Sequence, residues 1–378
     1  IYFLQLILNP ILKKYYMSLQ LQSEEEFSTI SSSKNNYHFI DLIRYVSIIG
    51  ITSLHSIYFF GLPQFVSIEE FLRRTDHPLV LIIFLQLMRF SVISFCMISG
   101  FLLGKKIRIE NSFKLFCKRA KATLPPYIIA LLLTALYWCL WAIVKEEESN
   151  LFSILINQLL ESSFWYIPSN LLSLILILLL LKRLPTLYLG GVLFILLVFV
   201  TVKFVYLTSL SHTNPIFFLG FSFYIWLGGM FWKYDLVKYV NRLDIRIVIL
   251  LWVITFGLGV FETYYHYDTL AFNNLKVSNQ LYAVISFITL IRISNHVKPF
   301  SKINPRKETY GIYLYSPLIG LIIGVLLHKI VGYFDSDSTL NSIAYTLLHF
   351  FTTFIMTTIA VKLMLKYKLM LLSRGEAG

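Results

Sequence analysis

Residues 39–60 read FIDLIRYVSIIGITSLHSIYFF, a run long enough to cross a bilayer that carries Asp41, Arg44 and His55. A spanning helix needs about 20 mainly apolar residues. A charge within hydrocarbon costs about 2.5–3.5 kcal/mol on insertion scales, so each one demands a reason. Arg44 and His55 are 11 residues apart. In a helix that is three turns plus about 20°, with an axial separation of about 16 Å. Asp41 falls about 60° from Arg44 and about 40° from His55. One stripe of this helix therefore bears Asp41 and Arg44 near one end and His55 toward the other. Taken alone, Arg44 reads as an interfacial residue snorkelling beside Asp41, and His55 as a hydrogen-bonded core histidine. Their common face favours function, because histidine exchanges protons near neutral pH and is the commonest general base.

Nine further runs of this kind follow, giving ten spans at about 39–60, 79–103, 124–144, 164–181, 187–206, 215–232, 247–264, 277–293, 309–327 and 340–361. Over 378 residues the composition is 57% hydrophobic, 16% aromatic and only 14% charged, with a mean hydropathy of +0.70. Soluble domains carry about 25% charged residues, so a soluble or disordered chain is excluded. The fold class is an all-α polytopic membrane bundle of about ten transmembrane helices. The weakest division is Lys182-Arg183-Leu184-Pro185-Thr186, where two cations and a proline favour a tight turn over one overlong helix.

The net charge of +13 resembles a nucleic-acid footprint, but its distribution gives another reading. Lys and Arg number 22 in the loops after even-numbered spans plus the C-terminal tail, against 6 in the loops after odd-numbered spans, with Arg292 and Lys203 counted in the loops they border. That alternation is the positive-inside pattern, which places a multi-pass protein in the cell membrane with both termini cytoplasmic. No nucleic-acid partner is expected. The acidic run Glu146-Glu147-Glu148 then lies outside. The expected organisation is a cytoplasmic lead-in over 1–38, whose first methionine is Met17, a membrane domain over 39–365 and a cytoplasmic tail over 366–378. Ile1–Leu12 is apolar but too short to span; it reads equally as an upstream extension or as a short interfacial helix. The three cysteines, Cys96, Cys117 and Cys139, show no disulfide framework and no metal-ligand spacing, and no metal is expected.

Arg89 is the sharpest anomaly, near the middle of the second span. A guanidinium does not usefully lose its proton, so it must meet a carboxylate, a phosphate or a wet cavity. Asp41 is one candidate partner. Downstream, Ser99 and Gly100 form a small pair where helices or a ligand approach closely. The following loop is the basic one, with Lys105, Lys106, Arg108, Lys114, Lys118, Arg119 and Lys121 ahead of Pro125-Pro126-Tyr127. Such a cluster suits donor phosphates, or orientation charge and lipid headgroups. His349 in the tenth span reads as structural.

Together these residues resemble the acyltransferase-3 family of integral membrane O-acyltransferases, which modify bacterial surface polysaccharides. The carriers are Asp41-Leu-Ile-Arg44-x10-His55, then Arg89-Phe90-Ser91-Val92 through Met97-Ile98-Ser99-Gly100-Phe101. Lys118-x-x-Lys121 before Pro125-Pro126-Tyr127, Phe164-Trp165-Tyr166 and Gly311-Ile312-Tyr313-Leu314 follow in order. The likeness covers about residues 37–365. Two lysines replace the usual arginines of the basic motif, Ser163 precedes Trp165 where many members have histidine, and Ser316 precedes Pro317 where histidine is also common.

The resemblance implies an O-acyltransferase with acyl-CoA, expected to be acetyl-CoA, as co-substrate and no permanently bound cofactor. The acceptor would be a hydroxyl of a surface or lipid-linked glycan. Lys118, Arg119 and Lys121 would hold the donor phosphates, with Ser99 and Gly100 beside them. Arg44 would guide the thioester, and His55 would act as base or brief acyl carrier. Arg89 would stabilise the oxyanion or order Asp41, and Trp165 and Tyr313 would meet the acceptor. Membrane lipids are the remaining partner. The alternative reading is a polysaccharide exporter or flippase of the same superfamily, against which stands the paucity of polar residues in spans five to eight.

Overall fold

A computed structural model describes residues 37–58, 78–107, 112–145, 154–156, 163–181, 186–207, 215–266, 273–297, 302–331, 339–367 and 369. The lead-in over 1–36, the acidic run 146–148, the turn at 182–185 and the end of the tail lie outside these residues.

All ten expected spans are helical. They are α1 (His38–Tyr58), α2 (Pro78–Met88) with α3 (Ser91–Ile107), α4 (Ser112–Lys145), α5 (Tyr166–Leu181), α6 (Thr186–Val200), α7 (Pro215–Leu219) with α8 (Ser222–Lys233), α10 (Ile245–Tyr265), α11 (Val277–Ile293), α12 (Thr309–Val331) and α13 (Thr339–Lys366). A short α9 (Leu236–Val240) links α8 to α10, and a π-helical turn (Thr201–Leu207) extends α6. The protein is thus a polytopic helical membrane bundle. Lipid is the solvent that explains its surface: Leu132, Leu136 and Leu140 of α4, and Ile247, Leu250 and Phe261 of α10, are all exposed. Helices are the natural solution there, because each satisfies its own backbone polar groups.

Three boundaries depart from the sequence expectation. The sixth span is two helices, broken at Gly220-Phe221. The second span is two helices, broken at Arg89-Phe90, where the Arg89 amide donates to the Gln86 carbonyl at 3.2 Å. The basic segment 112–123, expected as loop, is the start of α4, which continues through Pro125 and Pro126. At 1.5 Å per residue, 34 residues extend about 51 Å, well beyond a hydrocarbon core of about 30 Å. The cationic turns therefore project past the apolar layer and give Arg119 a helical face on which to point inward.

The packing centre is the pair α3 and α8. A Cβ placed on Gly100 would lie 1.8 Å from the Ile225 carbonyl oxygen, and one on Gly228 would lie 1.9 Å from that of Met97. The two backbones meet directly, as small residues allow in membranes. Helix α1 sits against α3, α12 and α13. The start of α1, the start of α12 and the end of α13 share one end of the bundle, where Arg306 meets Asp41 and Lys362 donates to the Lys302 carbonyl. We call this the basic end.

Candidate acyl-transfer site

Helix α1 supplies polar groups at successive depths. At the basic end, Asp41 accepts a bidentate pair from Arg306: Nε lies 3.0 Å from Oδ1 and Nη2 lies 2.9 Å from Oδ2. This fork fixes the first turn of α1 to the segment leading into α12. Neighbouring Glu308 is raised from the ordinary carboxyl range by burial, opposed by Lys362 and an Asn304 hydrogen bond.

One level further in, three helices converge. Arg119 of α4 donates from Nη2 to the Ser99 carbonyl of α3 at 3.4 Å. Asn170 of α5 donates to the Ser99 hydroxyl at 3.5 Å and to the Tyr166 hydroxyl at 3.1 Å. Arg119 interacts electrostatically with Arg44 and with Tyr166, so two guanidiniums and a phenol share one polar cluster. The Tyr313 ring of α12 meets Tyr166 edge-on at 5.8 Å. The cluster is cationic, donor-rich and bordered by aromatic rings, a composition suited to an anionic, partly apolar ligand.

Toward the far end of α1, His55 lies 8% exposed, and its Nδ1 is 3.4 Å from the hydroxyl of Ser316 on α12. The expected stripe therefore exists in space, with Arg44 in the polar cluster and His55 beyond it on the same helix.

Arg89 belongs elsewhere. Its Nη1 donates to Asn274 Oδ1 at 3.4 Å. The break bearing Arg89 abuts Gly50, whose added Cβ would lie 2.2 Å from the Ser91 hydroxyl. Gly50 is nine residues along α1 from Asp41, or about 14 Å. The expectation that Arg89 orders Asp41 is thus corrected: Arg306 does so, from a loop 265 residues away. Around Arg89 lies a second buried cluster. Lys276, fully buried, donates to Thr263, and Gln86 accepts from Thr263 at 3.4 Å. Burial lowers the Lys276 ammonium to about 7, helped by Arg89 and opposed by Glu262.

Three more expectations are adjusted. Gly100 is filled by α8 and offers no room to a donor, because the small residue serves helix contact. Lys118 and Lys121 are exposed while Arg119 turns inward, so the three cations do not form one cluster on one face. Trp165 is packed in the core, stacked on Phe218 at 6.0 Å and tilted against Phe221 at 5.3 Å, whereas Tyr313 meets Tyr166 of the polar cluster. His349 donates from Nε2 to the Gly320 carbonyl at 2.9 Å. Residues that the sequence left without a role are Arg306, Tyr166, Asn170, Asn274 and Lys276. Their one signal in sequence was polarity beside or within apolar runs.

Comparison with known proteins agrees with this architecture. A family model described as an acyltransferase domain, acyltransferase-3, matches residues 37–362. No curated protein and no solved structure gives a match. The matched region contains α1 with Asp41, Arg44 and His55, the polar cluster around Arg119 and Tyr166, and α12 with Ser316. With nearly the whole helical bundle inside the match, the chain belongs to the acyltransferase-3 family and is a membrane acyltransferase.

Proposed function

We propose that the protein moves an acetyl group from acetyl-CoA to a hydroxyl of a surface or lipid-linked glycan of a bacterial cell, across the cell membrane, with both termini cytoplasmic. The observation that carries this reading is the polar track of α1. A polar cluster with Arg44 and Arg119 lies near the basic end, and a buried histidine lies about 16 Å further along the same helix as Arg44.

The basic end faces the cytoplasm, where acyl-CoA is found. Exposed Lys118 and Lys121 draw the nucleotide phosphates, while Arg119 and Arg44 receive the donor deeper in. The thioester arm extends along α1 toward His55, lined by Tyr166 and Tyr313. His55 takes the proton of the acceptor hydroxyl as that oxygen attacks the thioester carbonyl carbon. The C–O bond forms and the C–S bond breaks. The leaving thiolate takes its proton from the imidazolium, which restores the base. Arg89, set in the second buried cluster with Asn274 and Lys276, takes no step in this transfer.

Binding and transfer separate in experiment. Purified wild-type protein and the R119A and H55A variants are titrated with acetyl-CoA by calorimetry. R119A is expected to weaken binding by about 10-fold or more, the worth of a charge-assisted hydrogen bond. H55A binds as the wild type does but transfers nothing. Unaltered affinity in R119A would place the donor elsewhere.

A further inference from the structure

Helix α13 uses its threonines in two ways. Thr352 and Thr358 flank the exposed Phe351, Ile355 and Ile359. Each donates into its own helix, to the Leu348 and Phe354 carbonyls at 2.7 Å. Hydrocarbon imposes that choice, because it offers a hydroxyl no other acceptor. Thr346, Thr353 and Thr357 occupy the opposite side, within about 40° of one another. They are at most 2% exposed, and their Oγ1 atoms have no hydrogen-bond partner among the described residues. Helix α1 divides likewise around His55. Ser53 and Ser56 return their protons to the Ile49 and Thr52 carbonyls at 2.9 and 3.0 Å. The buried Thr52 Oγ1 has no partner among the described residues.

Helix α13 packs on α12 and α1. It runs antiparallel to α12: Gly311 lies against Val361, and the Gly320 carbonyl accepts from His349 at 2.9 Å. Ser316, the contact of His55, lies between those two points, so Thr353 is the α13 threonine at its level. Thr357 lies one turn nearer the basic end, which Lys362 marks. A buried hydroxyl that forgoes its own carbonyl and meets no other acceptor calls for a partner from outside the chain. Spacing selects water. The four residues from Thr353 to Thr357 rise about 6 Å, and one water between two hydroxyls spans about 5.6 Å.

We propose that α1, α12 and α13 hold a file of ordered water along Thr346, Thr353 and Thr357, with Thr52 beside it, which carries protons between His55 and the basic end. The proposal rests on the reading of His55 as base. The acceptor proton arrives on His55, forming an imidazolium, while the thiolate leaves toward the basic end. Each water takes one proton and passes on another, so the imidazolium returns to imidazole as the thiolate becomes a thiol. No proton is gained or lost. The threonines are positioning residues: they hold the waters and touch neither donor nor acceptor.

The test uses the full chain with 13C-threonine in liposomes. Water-edited solid-state NMR reads which threonines receive magnetisation from water, and T352V, T353V, T357V and T358V assign the signals by subtraction. Thr353 is expected to receive it before Thr352, its neighbour at the same depth, and Thr357 before Thr358. Transfer no sooner than to those neighbours would overturn the file. Isolated membranes at matched protein levels then give the rate at which labelled acetyl-CoA modifies envelope glycan. T353V and T357V, which nearly keep the side-chain volume, are each expected to lower the maximal rate about 5-fold, the worth of one hydrogen bond. KM for acetyl-CoA stays within about 2-fold of wild type. T353S restores the rate, and T352V keeps it. Early magnetisation transfer beside wild-type rates in T353V and T357V would overturn the proton path. Full transfer by H55A would overturn the base reading and the proton path with it, and the spectrum alone would then decide the file.

Discussion

Gly228→Ala adds a single methyl group, yet the geometry gives it a large effect. The new Cβ would lie 1.9 Å from the Met97 carbonyl oxygen, where ordinary contact begins at 3.4 Å. Helices α3 and α8 must part by about 1.5 Å, the difference of those two distances. Overpacking typically costs about 1–3 kcal/mol, and a rigid backbone contact belongs at the upper end. Gly100→Ala meets the Ile225 carbonyl at 1.8 Å and should cost a similar amount. Gly191 and Gly257 provide internal controls, because nothing lies within 4 Å of a Cβ at either. Alanine there should be neutral or stabilise by about 0.5–1 kcal/mol, since glycine is the poorer helix former. The assay is the temperature at which detergent-solubilised protein leaves the monodisperse peak after heating. About 3 kcal/mol corresponds to a fall of about 4 °C for a chain of 378 residues. Activity should fall as well, because α3 carries the Ser99 carbonyl that Arg119 holds at 3.4 Å. If Gly228→Ala melts with Gly191→Ala, the direct backbone contact between α3 and α8 is wrong.

Other perturbations test separate parts of the structure. Asp41→Asn and Arg306→Ala should each cost about 0.5–1 kcal/mol, as befits a partly exposed pair. The double variant should cost no more than either single one, and simple additivity in a double-mutant cycle would disprove the coupling. Lys276→Met tests the second buried cluster through pH. Its ammonium falls from 10.5 unfolded to about 7 folded, so between those values the unfolded chain binds a proton that the folded one does not. The lysine therefore costs stability in full below pH 7, and the cost fades as pH rises toward 10.5. The variant should melt higher than wild type at pH 6 and equally at the alkaline end; a constant difference across pH would contradict this. Lys118→Ala with Lys121→Ala should weaken acetyl-CoA binding mainly at low salt, because exposed cations act through a screened field. A loss that persists at high salt would place them in direct contact with the donor.

The spans were legible because hydrocarbon imposes a harsh filter. Twenty apolar residues between polar loops have few alternatives to a helix, and the α1 stripe follows from helical geometry alone. Arg306 was invisible as the partner of Asp41, since a contact between residues 265 positions apart leaves no periodic trace. Gly100 was legible as a place of close approach, but the sequence did not say whether a helix or a ligand approaches; α8 takes the space. The basic segment misled in one respect. Its cations read as a loop ahead of Pro125-Pro126-Tyr127, whereas α4 begins earlier and thereby divides Arg119 from Lys118 and Lys121. Ser316 stood out only as a departure from a familiar pattern, and its meaning required seeing His55 beside it.

The most direct measurement compares surface glycans by mass spectrometry from cells that make wild-type protein or H55A at equal membrane levels. The account predicts one acetyl mass per modified sugar with wild type and none with H55A. Glycans that remain fully acetylated with H55A would contradict the assignment of His55. Glycans that lose surface display without any change in acetylation would favour export over transfer.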